Sequence, residues 1–135
     1  MKALILEATD YTPHVVLDPV SNQLEINGES SPEDAIQFYS AVGKWFKEYS
    51  DFRNERREPI QGSTEKPLVL TFYLTYITSS SLRCIYDLLR NAQLLPPFSS
   101  SLRIKWKHDF DDADIASSGM QLSKMLNLPF EIVSI

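Results

Sequence analysis

The chain has 135 residues, of which 43% are hydrophobic and 23% charged, with a formal net charge of −5 and a pI near 5.0. That length and composition fit one globular domain over 1–135 with no room for a second core, and the acidic balance speaks against nucleic acid or an anionic membrane surface as a partner, since both need a basic face. One cysteine, Cys84, leaves no intrachain disulfide and fits a reducing compartment, and no stretch resembles a signal peptide or the roughly 18 apolar residues of a membrane helix, so a cytoplasmic location is expected.

Residues 3–7 and 14–18 are short and apolar and read as strands. After a turn over 19–23, Leu24-Glu25-Ile26-Asn27-Gly28 alternates apolar with polar, as a strand wet on one face and paired to 14–18 as a hairpin. A helix is predicted over 32–50, with Ser31 as N-cap, Pro32 at the first helical position and Asp34 three residues after the cap. Its stripe of Ala35, Phe38, Tyr39, Val42, Phe46 and Tyr49, widened by Trp45, is core rather than a ligand box. The polar run 51–67 reads as a mobile loop, and its arginines Arg53, Arg56 and Arg57 alternate with Glu55 and Glu58 as on a solvated surface.

Leu68 to Tyr76 reads as a central strand, apolar on both faces over most of its length. After the hydroxyl run, Leu82, Ile85, Tyr86, Leu89 and Ala92 mark a second helix that ends before Pro96-Pro97. Leu102 to Trp106 alternates as a strand, 111–127 forms a third helix with acids in its first turn, and 130–135 closes the chain as a strand. The order implies an α/β fold of one mixed, mostly parallel sheet of about six strands with three helices.

Few groups could carry chemistry. His14 lies in a strand and has a structural reading. His108, followed by Asp109, Asp111, Asp112 and Asp114, would be the cation site of a small metal-binding or enzymatic protein; against it, Asp111 and Asp112 suit a helix cap, and the run lacks the glycine and ligand spacing of a calcium loop. Cys84, inside the second helix, reads as a buried inert thiol. The four glycines form no phosphate-cradling loop, and no cofactor, metal ligand set or catalytic residue is assigned. The segment Tyr76 to Arg83, containing Thr78, Ser79, Ser80 and Ser81, stands apart. One helix cap needs one hydroxyl, and here four follow each other at the carboxyl end of a strand, where ligand and signalling sites collect in α/β sheets. A phosphoryl group there would meet free backbone N–H groups and the positive end of a helix.

At this point the chain resembles the SiaC-like family of bacterial regulatory phosphoproteins. The resemblance rests on A-T-D-Y-T-P-H-V (8–15), G-E-S-S-P-E-D-A-I-Q-F-Y (28–39) and N-L-P-F-E-I-V (127–133) and spans nearly the whole chain. It implies a fold similar to the anti-sigma-factor antagonists (STAS-like) and a non-catalytic function. A cognate Ser/Thr kinase would phosphorylate a hydroxyl at the strand–helix junction, and a PP2C-type phosphatase would remove the phosphate. The unphosphorylated form would bind and activate an effector, a diguanylate cyclase of cyclic-di-GMP signalling, in the control of biofilms. An anti-sigma-factor antagonist in a partner-switching cascade is the alternative with the same chemistry. The family's junction reads approximately Y-(aromatic or Leu)-N-T-S-S-x-K with the threonine as acceptor. Aligned without gaps, Thr78 stands at the Asn, Ser79 at the acceptor and Arg83 at the Lys, which makes Ser79 the first choice for phosphorylation and Thr78 the alternative. Tyr76, Thr78, Ser79, Ser80, Ser81 and Arg83 form the expected partner-binding junction. Exposed strand edges would allow a homodimer.

Overall fold

The computed structural model describes residues 1–56 and 67–135. In chain order the elements are β1 (Leu4–Leu6), β2 (His14–Leu17), β3 (Leu24–Ser30), α1 (Ala35–Arg56), β4 (Leu68–Ile77), α2 (Ser79–Ala92), α3 (Phe98–Ser101), β5 (Leu102–His108), α4 (Ala113–Leu126) and β6 (Phe130–Ser134). The strands form a single six-stranded sheet whose spatial order, β1-β2-β3-β4-β5-β6, follows the chain. The β1–β2 and β2–β3 pairs are antiparallel; β3–β4, β4–β5 and β5–β6 are parallel. The expected mixed α/β sheet and its early hairpin are present, with four helices among the described residues rather than three, because Phe98–Ser101 adds a short turn of helix before β5.

Period-2 alternation decides which side of the sheet is dry. Leu24 and Ile26 of β3, Leu68, Leu70, Phe72 and Leu74 of β4, and Leu102, Ile104 and Trp106 of β5 are buried. They join Val42, Phe46 and Tyr49 of α1, Ile85 and Leu89 of α2, and Ile115 and Leu122 of α4 in one cluster. The intervening residues, Glu25 and Asn27, Val69, Thr71, Tyr73 and Thr75, Arg103, Lys105 and Lys107, are half-buried or exposed. The described residues therefore form two layers: helices cover one face of the sheet, and among the described residues the other face is open. This corrects the expectation that β4 is apolar on both faces. Val69 and Tyr73 are apolar in composition, yet they stand on the uncovered side. Each large core side chain such as Phe72 or Leu70 contributes roughly 1.5–3 kcal/mol by leaving water.

Element boundaries differ from the sequence expectations in two places. Asp34, not Ser31, caps α1: its Oδ1 accepts the Gln37 N–H at 3.0 Å, while the Ser31 hydroxyl donates to Glu29 at 2.8 Å. Pro32 and Glu33 are a lead-in, and the helix starts at Ala35. At its other end α1 runs through Arg56, so residues 51–56 of the expected loop are helical. No proline or glycine interrupts them, half-buried Phe52 extends the apolar stripe, and the Arg53 guanidinium lies 5.9 Å from the Tyr49 ring centre. The remainder of that loop expectation, apart from Pro67, falls on residues 57–66, outside the described residues.

Candidate functional site

The hydroxyl run sits where three elements meet, and a β-bulge sets its geometry. Gly28 pairs with Leu74, but the next residue, Glu29, pairs with Tyr76 and Ser30 with Ile77. Thr75 is thus one residue more than β3 can match, and the alternation of β4 changes phase. Without the bulge Tyr76 would point inward and Ile77 outward. With it, Tyr76 is exposed and Ile77 packs on the core. The Thr78 N–H then donates to the Ser30 carbonyl at 3.0 Å, the last bond of the strand pair, and the chain turns into α2.

Thr78 is the N-cap of that helix. It keeps extended backbone angles (φ −80°, ψ 161°), its Oγ1 accepts the Ser81 N–H at 3.2 Å, and its carbonyl accepts the Leu82 N–H at 2.9 Å. The three serines that follow have three different environments. Ser79 and Ser80 are exposed, and among the described residues their side chains make no hydrogen bond. Ser81 is fully buried, and its Oγ accepts from the hydroxyls of Thr78 at 3.1 Å and Ser30 at 2.9 Å. Since the Ser30 proton is committed to Ser81, the Tyr39 hydroxyl supplies the proton of the 2.6 Å contact between Tyr39 and Ser30. A relay of four hydroxyls, from Tyr39 on α1 through Ser30 on β3 and Ser81 on α2 to Thr78, thus anchors the junction from below. Burial pushes the Tyr39 phenol up to about 12.

Neither Ser30 nor Tyr39 is among the expected site residues, Tyr39 being read from the sequence only as part of the apolar stripe of α1. Ser30 could have been found as the inward member of the series Leu24, Ile26, Gly28, Ser30; nothing in the sequence joins it to Ser81, 51 residues later. Of the other expected site residues, Tyr76 lies on the open side of the sheet beside Glu29. Arg83 is exposed and faces Asp87 at 3.6 Å, one turn beyond Ser79. Across the same end of the sheet, the Ser31 N–H donates to the carbonyl of exposed Tyr11 at 2.8 Å, so the 9–13 segment borders the junction.

The acidic segment has other engagements. His108 Nδ1 contacts the Asp109 carbonyl at 2.9 Å, Asp109 accepts a hydrogen bond from the Tyr73 hydroxyl, and Asp112 Oδ1 caps α4 by accepting the Ile115 N–H at 3.0 Å. Among the described residues no three His, Cys, Asp or Glu side chains converge as a cation site would require. His14 lies 4.0 Å from Glu7. Cys84 is half-buried rather than buried, and desolvation, reinforced by Asp87 and Asp34, raises its thiol pKa, which disfavours the reactive thiolate. Among the described residues no helix is long and apolar enough to cross a membrane.

Comparison with known proteins places this geometry among relatives. A family model described as SiaC family regulatory phosphoprotein matches residues 6–135. An uncharacterized protein of Pseudomonas aeruginosa (strain UCBPP-PA14) is 21% identical over 132 residues, which is 98% of this chain and 96% of the relative. The crystal structure of the diguanylate cyclase SiaD in complex with its activator SiaC from Pseudomonas aeruginosa contains a chain that superposes with a TM-score of 0.75 at 20% identity, covering 98% of this chain and 99% of that one. Apo-SiaC from the same organism gives 0.70 at 22% identity, with 98% and 99% covered. At such identities the two structures establish a shared fold.

Proposed function

The chain belongs to the SiaC family of regulatory phosphoproteins, and from that premise we propose that it is a non-catalytic switch whose unphosphorylated form binds and activates a diguanylate cyclase. Ser79 is the phosphoacceptor, written by a cognate Ser/Thr kinase and erased by a PP2C-type phosphatase. The observation that carries the assignment is the sorting of the four hydroxyls. Thr78 spends its oxygen on the helix cap and Ser81 is buried, which leaves the exposed hydroxyls of Ser79 and Ser80, unengaged among the described residues; of these two, the family's junction pattern selects Ser79, at the first position of α2. Thr78 also does what the family's Asn at that place would do, since Asn and Thr are both good N-caps. The pairing of SiaC with the diguanylate cyclase SiaD in a solved complex supports the choice of effector, and membership in a family of regulatory phosphoproteins supports a phosphate switch.

A phosphoryl group on Ser79 adds about −1.5 to −2 charges at neutral pH. At a helix N-terminus this costs the fold nothing and gains roughly 0.3–1 kcal/mol, and Arg83 could turn from Asp87 toward it. The consequence falls on the partner, which would have to bury or face a doubly charged group. The test is binding of the cyclase to wild type, Ser79→Ala and Ser79→Asp, together with mapping of the phosphate after co-expression with the kinase. Ser79→Ala should bind like wild type and resist phosphorylation, and Ser79→Asp should bind at least about tenfold more weakly, the equivalent of ~1.4 kcal/mol. Phosphate on Thr78, or equal binding by wild type and Ser79→Asp, would overturn the assignment.

A further inference from the structure

The open face of the sheet carries a charge pattern that the proposed switch does not use. On its acidic side, β3 presents Glu25 and Glu29. On its basic side, β5 presents Arg103, Lys105 and Lys107 at successive outward positions. Between them β4 presents Val69, Thr71 and Tyr73. Among the described residues none of these five charged groups takes part in an ion pair. Register aligns them: Glu25 is level with Thr71 on β4, and Thr71 is level with Lys105 on β5. Glu131 on β6 is in turn level with Lys105, so acid, hydroxyl, base and acid stand in one row across four strands, with Glu25 and Lys105 each about 4.8 Å to either side of the middle strand and Glu131 twice as far out.

Such a row complements itself. When two copies stack open face to open face about a two-fold axis parallel to β4, left and right exchange. The Glu25 side of one copy then lies over the Lys105 side of the other, twice by symmetry, with Thr71 and Tyr73 near the axis. A two-fold axis perpendicular to the strands would instead set Glu25 over Glu25 and Lys105 over Lys105, so the charges select the first arrangement. Exposed Ile5 on β1 and Ile135 after β6 lie at the margins of the same face. We infer that the open sheet face is a homotypic docking surface, on which a second copy of this chain is held by reciprocal Glu25–Lys105 pairs. Six strands at about 4.8 Å spacing make a face only some 25 Å wide, which suits a reversible, salt-sensitive dimer rather than an obligate one.

The test is sedimentation of the full chain over a concentration series in low and high salt. Wild type should show a monomer–dimer equilibrium that shifts to monomer in high salt. Glu25→Lys and Lys105→Glu should each raise the dimer dissociation constant about tenfold or more, because each sets like charges opposite one another at two places. Mixing the two variants should restore a dimer: one chain then offers cations at both positions and the other anions at both. A loss of fold in either variant could not produce that rescue. The inference is overturned if wild type stays monomeric throughout, or if dimers form but neither reversal weakens them. It is also overturned if wild type is monomeric and the reversals weaken cyclase binding instead, which would give the face to the effector.

Discussion

At the scale of single residues, the junction separates hydroxyls that look alike in sequence. Ser79→Ala removes an exposed hydroxyl with no partner among the described residues and should change stability by less than about 0.5 kcal/mol. Ser81→Ala takes from Ser30 and Thr78 the acceptor of their protons, 2.9 and 3.1 Å away, inside a buried relay, and should cost about 1–3 kcal/mol. Urea unfolding of the two variants beside wild type measures the contrast, and equal midpoints would mean that the relay contributes nothing. The sequence pointed to the run and, through its alignment, to Ser79. It could not show that Ser81 is a core residue, because N3 of a helix faces inward only once the helix has been laid on a particular strand. It likewise could not show Ser30 and Tyr39, whose role exists only in the packed state.

At the scale of elements, the strongest constraint is between α4 and β5. The Trp106 indole donates to the Ile115 carbonyl at 2.8 Å, and its ring lies against the backbone of Gly119, where an added Cβ would come within 2.4 Å of Trp106 Cδ1. The tryptophan is fully buried and cannot swing away. Gly119→Ala is therefore expected to push α4 off the sheet and to lower stability by about 1–3 kcal/mol or more, despite the general helix preference for alanine. Thermal unfolding followed by near-UV circular dichroism, which reports on Trp106, would check it; a stabilised variant would contradict the close fit. Most elements were legible because periodicity is strong in 24–28, 35–49 and 82–92. The one-sidedness of the sheet was not, since Val69 and Tyr73 look like core by composition and only their phase relative to Leu70 and Phe72 assigns them to the open face. The bulge at Thr75 was hidden for a related reason: it arises from the mismatch of two strands and not from either alone.

At the scale of the whole molecule, three phenols share one direction of shift. Burial raises Tyr39 to about 12 and also raises Tyr49, while the hydrogen bond to Asp109 raises Tyr73. A phenol held neutral in the folded state but free to ionise near 10 when unfolded leaves the unfolded chain with fewer protons above that pH. Stability is then fully present below about pH 10 and falls as pH rises toward 12, by up to roughly 2–3 kcal/mol for Tyr39. Denaturant midpoints across pH 9–12 should show this decline, and Tyr39→Phe should flatten it; an unchanged slope would remove Tyr39 as its source. The sheet itself has a further consequence. Because spatial order follows chain order, no gap is left for a strand that has yet to be made. As the polypeptide emerges during synthesis, each new strand can add to an edge already in place, and β6 is the last addition. Nascent chains halted after successive strands should thus display a sheet that widens in one direction, like brickwork laid from a single end.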